Sequence, residues 1–310
     1  MSKNAYIFPG QGSQIVGMGK DLFNNFPAAR EVFEEADETL GSSLSEMCFS
    51  GDEAELQLTA NTQPAILAVS VAAFRSLKAE GARNPDFVAG HSLGEYSALV
   101  AAGVLSFADT LRTVRKRGTY MQDAVPVGVG AMAAVLGSDV ATIEAACEEA
   151  ADGQVCSPAN INSHSQVVIA GNAEAIDRAC EIVKAKGAKR AIKLNVSAPF
   201  HCSLMMPAQL KLADDLAALA YGEFEFPIVH NVDAEANSRP KRVADALTRQ
   251  VSSPVRWLHT VELLASEGVD KFVEVGPGKV LSSLVRQIAR EAKSYNVENS
   301  ENLRNTLESL

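Results

Sequence analysis

The sequence predicts an α/β protein in which a small second domain interrupts a larger one built from alternating strands and helices. Two observations predict it. Short apolar runs at residues 5–8, 87–89 and 271–275 each end in a glycine turn and lead into a stretch with helical spacing. Between them, residues 127–196 keep a different rhythm, strand–helix–strand–strand–helix–strand, which is the split-βαβ or ferredoxin-like unit. The expected division is 1–125 with 197–310 for the larger domain and 126–196 for the insert.

In chain order, the apolar strand at 5–8 runs into Pro9-Gly10-Gln11-Gly12-Ser13-Gln14. A phosphate loop fails here, because G-x-G-x-x-G breaks at Ile15 and no G-K-[ST] follows. A tight turn that brings backbone amides to a site fits better, with Gln11 at its apex. Leu22, Phe26, Ala29, Val32, Phe33, Ala36 and Leu40 have helical spacing and predict one helix over 21–40. A second long helix is expected over 63–78, with Pro64 in its first turn, so that Gln63 stands at a helix start, facing either a cleft or solvent. Ser106 caps a further helix carrying Arg112, Arg115, Lys116 and Arg117, a basic cluster that pattern alone reads as a solvated face.

The insert reads as strand 127–136, helix 139–150, strands 155–161 and 166–170, helix 173–186 and strand 190–196. The larger domain resumes with a helix over 204–219, a strand at 226–230 and helices at 243–251 and 255–266. The strand at 271–275 turns at Gly276-Pro277-Gly278 into a helix over 280–289, and a short strand (294–297) and a helix (303–310) close the chain.

The chemistry concentrates at Gly90-His91-Ser92-Leu93-Gly94-Glu95, which follows the strand 87–89 and precedes a helical run ending at Gly103. Strand, G-x-S-x-G, helix is the context of a nucleophile elbow. A serine that stands up at a strand end needs a very sharp turn, and flanking glycines keep that turn free of clashes. The helix that starts there leaves amides free, which makes Leu93 N a candidate oxyanion donor. Ser92 needs a base, and five histidines compete. A sharp elbow turns His91 away from Ser92, His164 lies in the insert, His230 in a strand and His259 mid-helix. His201 sits where the insert rejoins the larger domain and can overhang the strand ends; the alternative is a satisfied polar residue of the core. No Asp or Glu stands out as a third member, and a backbone carbonyl could orient the imidazole instead.

Composition sets outer bounds. The 310 residues include 47% hydrophobic and 21% charged, ordinary for a water-soluble globular chain. No run approaches the roughly 18 apolar residues of a membrane span, and the first ten residues are too weakly apolar for a signal peptide. Five cysteines, odd in number and without C-x-x-C, point away from disulfides and structural zinc and toward a reducing, cytoplasmic setting. A net charge of −10 argues against nucleic acid and anionic membranes as partners.

Six motifs occur in order: Gly10-Gln11-Gly12-Ser13-Gln14, Gly90-His91-Ser92-Leu93-Gly94-Glu95, Arg117-Gly118, Asn160-x-Asn162-Ser163, Phe200-His201 and Val275-Gly276-Pro277-Gly278. Together they resemble the malonyl-CoA:acyl-carrier-protein transacylases, from about residue 5 to the C-terminus. The resemblance implies an α/β-hydrolase-like core with a parallel sheet and malonyl transfer from coenzyme A to the phosphopantetheine thiol of acyl carrier protein, for fatty acid synthesis. It implies a malonyl ester on Ser92, His201 as base and then acid, and the amides of Gln11 and Leu93 as oxyanion hole. The backbone carbonyl of Gln250 would orient His201. Arg117 moves from the solvated face to the pocket floor, paired with the malonyl carboxylate and hostile to acetyl groups. Gln11, Gln63, His91, Met121, Asn160, Asn162 and Phe200 would complete the substrate site, the Phe200 ring leaving little room for an α-methyl group. No cofactor or metal is implied, coenzyme A thioester being a substrate, and the default expectation is a monomer.

The carrier would be acidic, as is this chain, so docking needs a local basic patch. The densest is Lys184, Lys186, Lys189, Arg190 and Lys193, of which Lys189 and Arg190 are the candidate contacts. Two other classes compete. An esterase or thioesterase would need Ser…Asp…His order and gives Arg117 no role, and a scaffold would not need serine, histidine and arginine intact.

Overall fold

The computed structural model describes residues 2–196 and 198–310. Its strands are β1 (Lys3–Phe8), β2 (Phe87–Gly90), β3 (Gly130–Leu136), β4 (Cys156–Ser163), β5 (Gln166–Asn172), β6 (Arg190–Lys193), β7 (Ile228–Val229), β8 (Ala236–Asn237), β9 (Val269–Val275) and β10 (Lys293–Val297). They form two sheets. The larger runs β10-β9-β1-β2-β7-β8, parallel throughout except for the antiparallel edge strand β8.

A parallel sheet is covered on both faces, so its strands read as continuous apolar runs. Strand β1 shows this directly. Tyr6 and Phe8 enter the core beneath the long helices, while Ala5 and Ile7 enter a second core with Trp257, Val261 and Phe272. The register pairs Phe8 with Gly90, so β1 and β2 end side by side. This brings the Gly10–Gln14 turn against the Ser92 elbow at the carboxyl ends of the sheet, where parallel α/β folds place their ligands.

The smaller sheet runs β4-β5-β3-β6 and is antiparallel throughout. Two helices, Val140–Ala151 and Ala173–Ala185, cover one face. Alternation along β5 sends Val167 and Ile169 into the core beneath those helices, and Val168 and Ala170 into the main core. The order and connectivity are those of the split-βαβ unit expected from the sequence. A parallel bridge, Asn160 to Val255, ties β4 to the larger part of the chain.

Several expected elements are corrected. The helix expected over 21–40 is two, Lys20–Asn25 and Pro27–Leu40, because Phe26 before Pro27 is held extended at φ −127°. The helix expected from 63 begins at Thr59, so Pro64 lies inside it and Gln63 is a buried interior residue rather than a helix start. The strands expected at 127–136, 190–196 and 226–230 shrink to β3, β6 and β7. Helices Leu44–Ser50 and Glu53–Gln57 and the short strand β8 went unforeseen. Among the described residues no helix is long and apolar enough to cross a membrane.

Candidate active site

The elbow is built by close backbone approach. A Cβ on Gly90 would sit 2.0 Å from the Gly94 carbonyl carbon, and one on Gly94 would sit 2.0 Å from Phe8 O. One on Gly10 would meet His91 O at 2.3 Å, so only glycine lets the two turns touch. Ser92 takes φ 51°, the left-handed conformation that L side chains rarely adopt, and the surroundings hold it there. Asn231 does this work: its Oδ1 accepts from Ser92 N at 2.7 Å and its Nδ2 donates to Gly90 O at 2.6 Å. The neighbouring turn is held by its own side chains. Ser13 Oγ donates to Gly10 O, and Gly12 N donates to Gln14 Oε1, both at 2.7 Å. Among the described residues neither Gln11 N nor Leu93 N has an acceptor, so both amides are free for an oxyanion.

His201 reaches the nucleophile from the other side. Its Nδ1 lies 2.9 Å from Gln250 O, which can only accept, so Nδ1 carries the proton. Nε2 is then the acceptor for the Ser92 hydroxyl, 2.7 Å away. Burial, and after it the nearby Arg117 charge, together push the His201 pKa down to about 3, against the opposing pull of the Gln250 carbonyl. The imidazole is therefore neutral, the form a general base requires.

Arg117 overturns its solvated-face reading. It is 1% exposed and points into the site, with the Tyr96 ring 5.3 Å beneath it. One terminal nitrogen donates to Gln63 Oε1 at 2.8 Å; the other donates to Gln250 Oε1 at 2.9 Å and to Ser92 Oγ at 3.2 Å. All three acceptors are neutral, and among the described residues Nε has no hydrogen-bond partner. Burial lowers its pKa, yet a guanidinium keeps its charge at any working pH. A buried cation beside a serine–histidine pair, with neutral groups as its direct acceptors, has room in its coordination for an anion.

These groups open on a cleft of about 400 Å³, within the range of small-molecule sites. Gln11, Gln63, His91, Ser92, Leu93, Arg117, Met121, Asn160, Phe200 and His201 line it. Asn162 lies one step away, in an adjoining hollow of about 200 Å³, where its Oδ1 accepts from His91 Nε2 at 2.9 Å. Gln250 stands behind the wall rather than in it. Lys189 and Arg190 are exposed and outside the lining.

Sequence reasoning missed three groups. Leu194, Asn195 and Val196 were taken as strand and instead line the cleft. The side chain of Gln250, beyond its carbonyl, donates to Ser92 O at 3.0 Å and to Glu95 Oε2 at 2.8 Å. Glu95, His230 and Asn231 form a buried polar layer under the elbow. A carboxylate in an otherwise apolar helix was the available signal for Glu95.

The chain is similar to known proteins over nearly its whole length. The acyl transferase domain family matches residues 5–303. The malonyl CoA-acyl carrier protein transacylase of Escherichia coli K12 is 51% identical over 288 residues, 93% of each chain. The Bacillus subtilis enzyme of that name is 47% identical over 311 residues, covering 100% of this chain and 98% of its own. The acyl carrier protein S-malonyltransferase of Vibrio cholerae superposes with a TM-score of 0.97 at 46% identity, covering 98% of this chain and all of its own. A malonyl-transacylase solved in complex with a type II PKS acyl-carrier protein superposes with a TM-score of 0.98 at 47% identity, both chains fully covered. With its serine elbow, its carbonyl-held histidine and its buried arginine in one cleft, the chain belongs to the malonyl CoA-acyl carrier protein transacylases.

Proposed function

We propose that this chain moves a malonyl group from malonyl-CoA to the phosphopantetheine thiol of acyl carrier protein, in two half-reactions through an ester on Ser92. Ser92 Oγ attacks the thioester carbonyl and its proton passes to His201 Nε2. The amides of Leu93 and Gln11 receive the tetrahedral oxyanion. Collapse breaks the C–S bond, and the coenzyme A sulfur leaves with the proton from His201. In the second half-reaction the carrier thiol gives its proton to His201 and attacks the ester. The Ser92 oxygen then leaves and takes that proton back. Every bond made is balanced by one broken, so the chemistry asks for no cofactor.

The observation that carries this reading is Arg117, a buried cation with only neutral partners next to the Ser92–His201 pair. A plain ester or thioester hydrolase has no use for it, whereas a malonyl group supplies the missing carboxylate for a bidentate pair. The Phe200 ring lines the cleft and favours an unsubstituted malonyl over an α-methyl analogue. The names of its relatives support a place in fatty acid synthesis, and we take the chain to act as a monomer in the cytoplasm.

For the carrier, three of the five basic residues are engaged: Lys184 with Glu181, Lys186 with Glu149 and Lys193 with Asp177. Lys189 and Arg190 make no ion pair among the described residues, which supports them as the contact for an acidic partner. Radiolabelled malonyl-CoA tests the whole scheme. A stable label on the protein that discharges onto carrier thiol supports transfer. Rapid release of malonate means a hydrolase, and no label means a scaffold.

A further inference from the structure

Beneath the elbow lies a buried charge that the transfer steps do not use. Glu95 is 0% exposed, in the first turn of the helix Gly94–Ala101. Its Oε2 accepts from Asn231 N at 3.0 Å and from Gln250 Nε2 at 2.8 Å; its Oε1 lies 2.6 Å from His230 Nδ1. Asn237 settles where the His230 proton is. Arg239 N donates to Asn237 Oδ1 at 2.8 Å, so Asn237 must turn its amide nitrogen toward His230 Nε2, 2.9 Å away. That ring nitrogen is the acceptor, and the single imidazole proton sits on Nδ1, aimed at Glu95. Glu95 thus faces N–H donors on both oxygens, the surroundings of a carboxylate rather than a carboxylic acid.

The cation that balances this charge is one residue away. The Gln250 carboxamide donates from Nε2 to Glu95 and accepts at Oε1 from Arg117, at 2.9 Å. Its dipole lies between the two charges, oxygen toward the guanidinium and nitrogen toward the carboxylate. Burial lowers the Arg117 pKa most, and Tyr96 and then the buried Glu95 charge draw it back upward.

We propose that Glu95 is the internal counter-charge of Arg117, joined to it through the Gln250 carboxamide, and that it sets how tightly the site grips an incoming carboxylate. The proposal rests on Arg117 being the malonyl receptor. In the empty site Glu95 offsets part of the cost of burying the cation. In the loaded site the malonyl group and Glu95 share one guanidinium, and each weakens the other's hold. An acyl-enzyme bound less tightly in its ground state is easier to discharge onto the carrier thiol. Glu95 is in these terms a positioning residue, acting through Gln250 and Arg117.

Calorimetric binding of malonate to the full chain is the test, with Glu95→Gln as the perturbation. Neutralising a charge two hydrogen bonds from the guanidinium should tighten malonate about tenfold. The single variant forces the His230 proton onto Nε2, against the Asn237 amide, and so risks instability. A second variant, Glu95→Gln with Asn237→Asp, gives that proton an acceptor and gives up only the bond from Asn237 Nδ2 to Arg239 O. Its negative charge stands on the far side of His230, so tightening should persist. If Glu95 served structure alone, the single variant would lose affinity and the double would return to the wild-type value. That result, or unchanged binding in both variants, overturns the proposal while leaving the transferase reading intact. Wild-type chain that binds no malonate, or binds it equally after Arg117→Ala, overturns both.

Discussion

Replacing Arg117 with alanine should shift the acyl preference of the site from malonyl toward acetyl. The guanidinium is 1% exposed and its acceptors, Gln63, Gln250 and Ser92, are neutral. In Arg117→Ala the malonyl carboxylate must enter the same enclosed space with no cation to meet it. Leaving one member of a desolvated pair alone costs about 3–5 kcal/mol, or roughly a hundredfold to a few thousandfold in kcat/KM. Acetyl transfer has no carboxylate to lose, and its kcat/KM should change by less than about tenfold. The malonyl-to-acetyl ratio should therefore fall by at least about tenfold. The assay is single-turnover acylation with each labelled coenzyme A thioester in turn, which separates the first half-reaction from discharge to the carrier. A ratio that stays at the wild-type value would refute the receptor role and send Arg117 back to structure.

Four further outcomes are expected. Ser92→Ala should fold and form no malonyl adduct, and mass spectrometry placing the wild-type adduct on another residue would remove Ser92 as nucleophile. Because burial and Arg117 push His201 from 6.5 to about 3, the base is already deprotonated well below neutrality. Acylation kcat/KM should then stay flat from about pH 8 to about pH 5; a half-maximal point near 6.5 would show an ordinary, solvated histidine. Gly94→Ala drives a Cβ to 2.0 Å from Phe8 O and should cost about 1–3 kcal/mol or more in urea unfolding. Glutamate at both Lys189 and Arg190 should raise the KM for carrier, with a shallower salt dependence, while acylation by malonyl-CoA is untouched; a parallel fall in both half-reactions would place docking elsewhere.

What was legible in the sequence was what short segments decide alone. The elbow announces itself because its glycines flank the serine in a short run between strand and helix, although Gly94 answers Phe8 O far along the chain, and the split-βαβ rhythm survives because alternation and helical spacing are local. Arg117 was different. Read as a charge cluster, residues 112–117 look like a solvated face. Read by helical period, Thr110, Val114, Arg117, Gly118 and Met121 form one buried stripe, and Arg117 is the charge inside it. The third member beside His201 carries no signal in residue type, since any residue has a carbonyl, and only the resemblance pointed to Gln250. Phe26-Pro27 was a readable break that the apolar spacing across it concealed. Nothing local ties Asn231 or His230 to the site, because the partners that do so, on the elbow and its helix, lie more than a hundred residues away.

The Gln250 carbonyl has a genetic consequence. A carboxylate that orients a catalytic imidazole can be deleted by one base change, and a saturation screen then reveals it. A main-chain oxygen cannot be deleted this way, because every codon at position 250 still supplies it. Screens for inactive alleles should thus recover Ser92 and His201 readily. Substitutions at 250 would register only what its side chain does for Arg117, Ser92 and Glu95. The group holding the base in its working tautomer is inherited through the fold rather than through a letter of the code. It drifts only when the helix Val243–Gln250 itself moves.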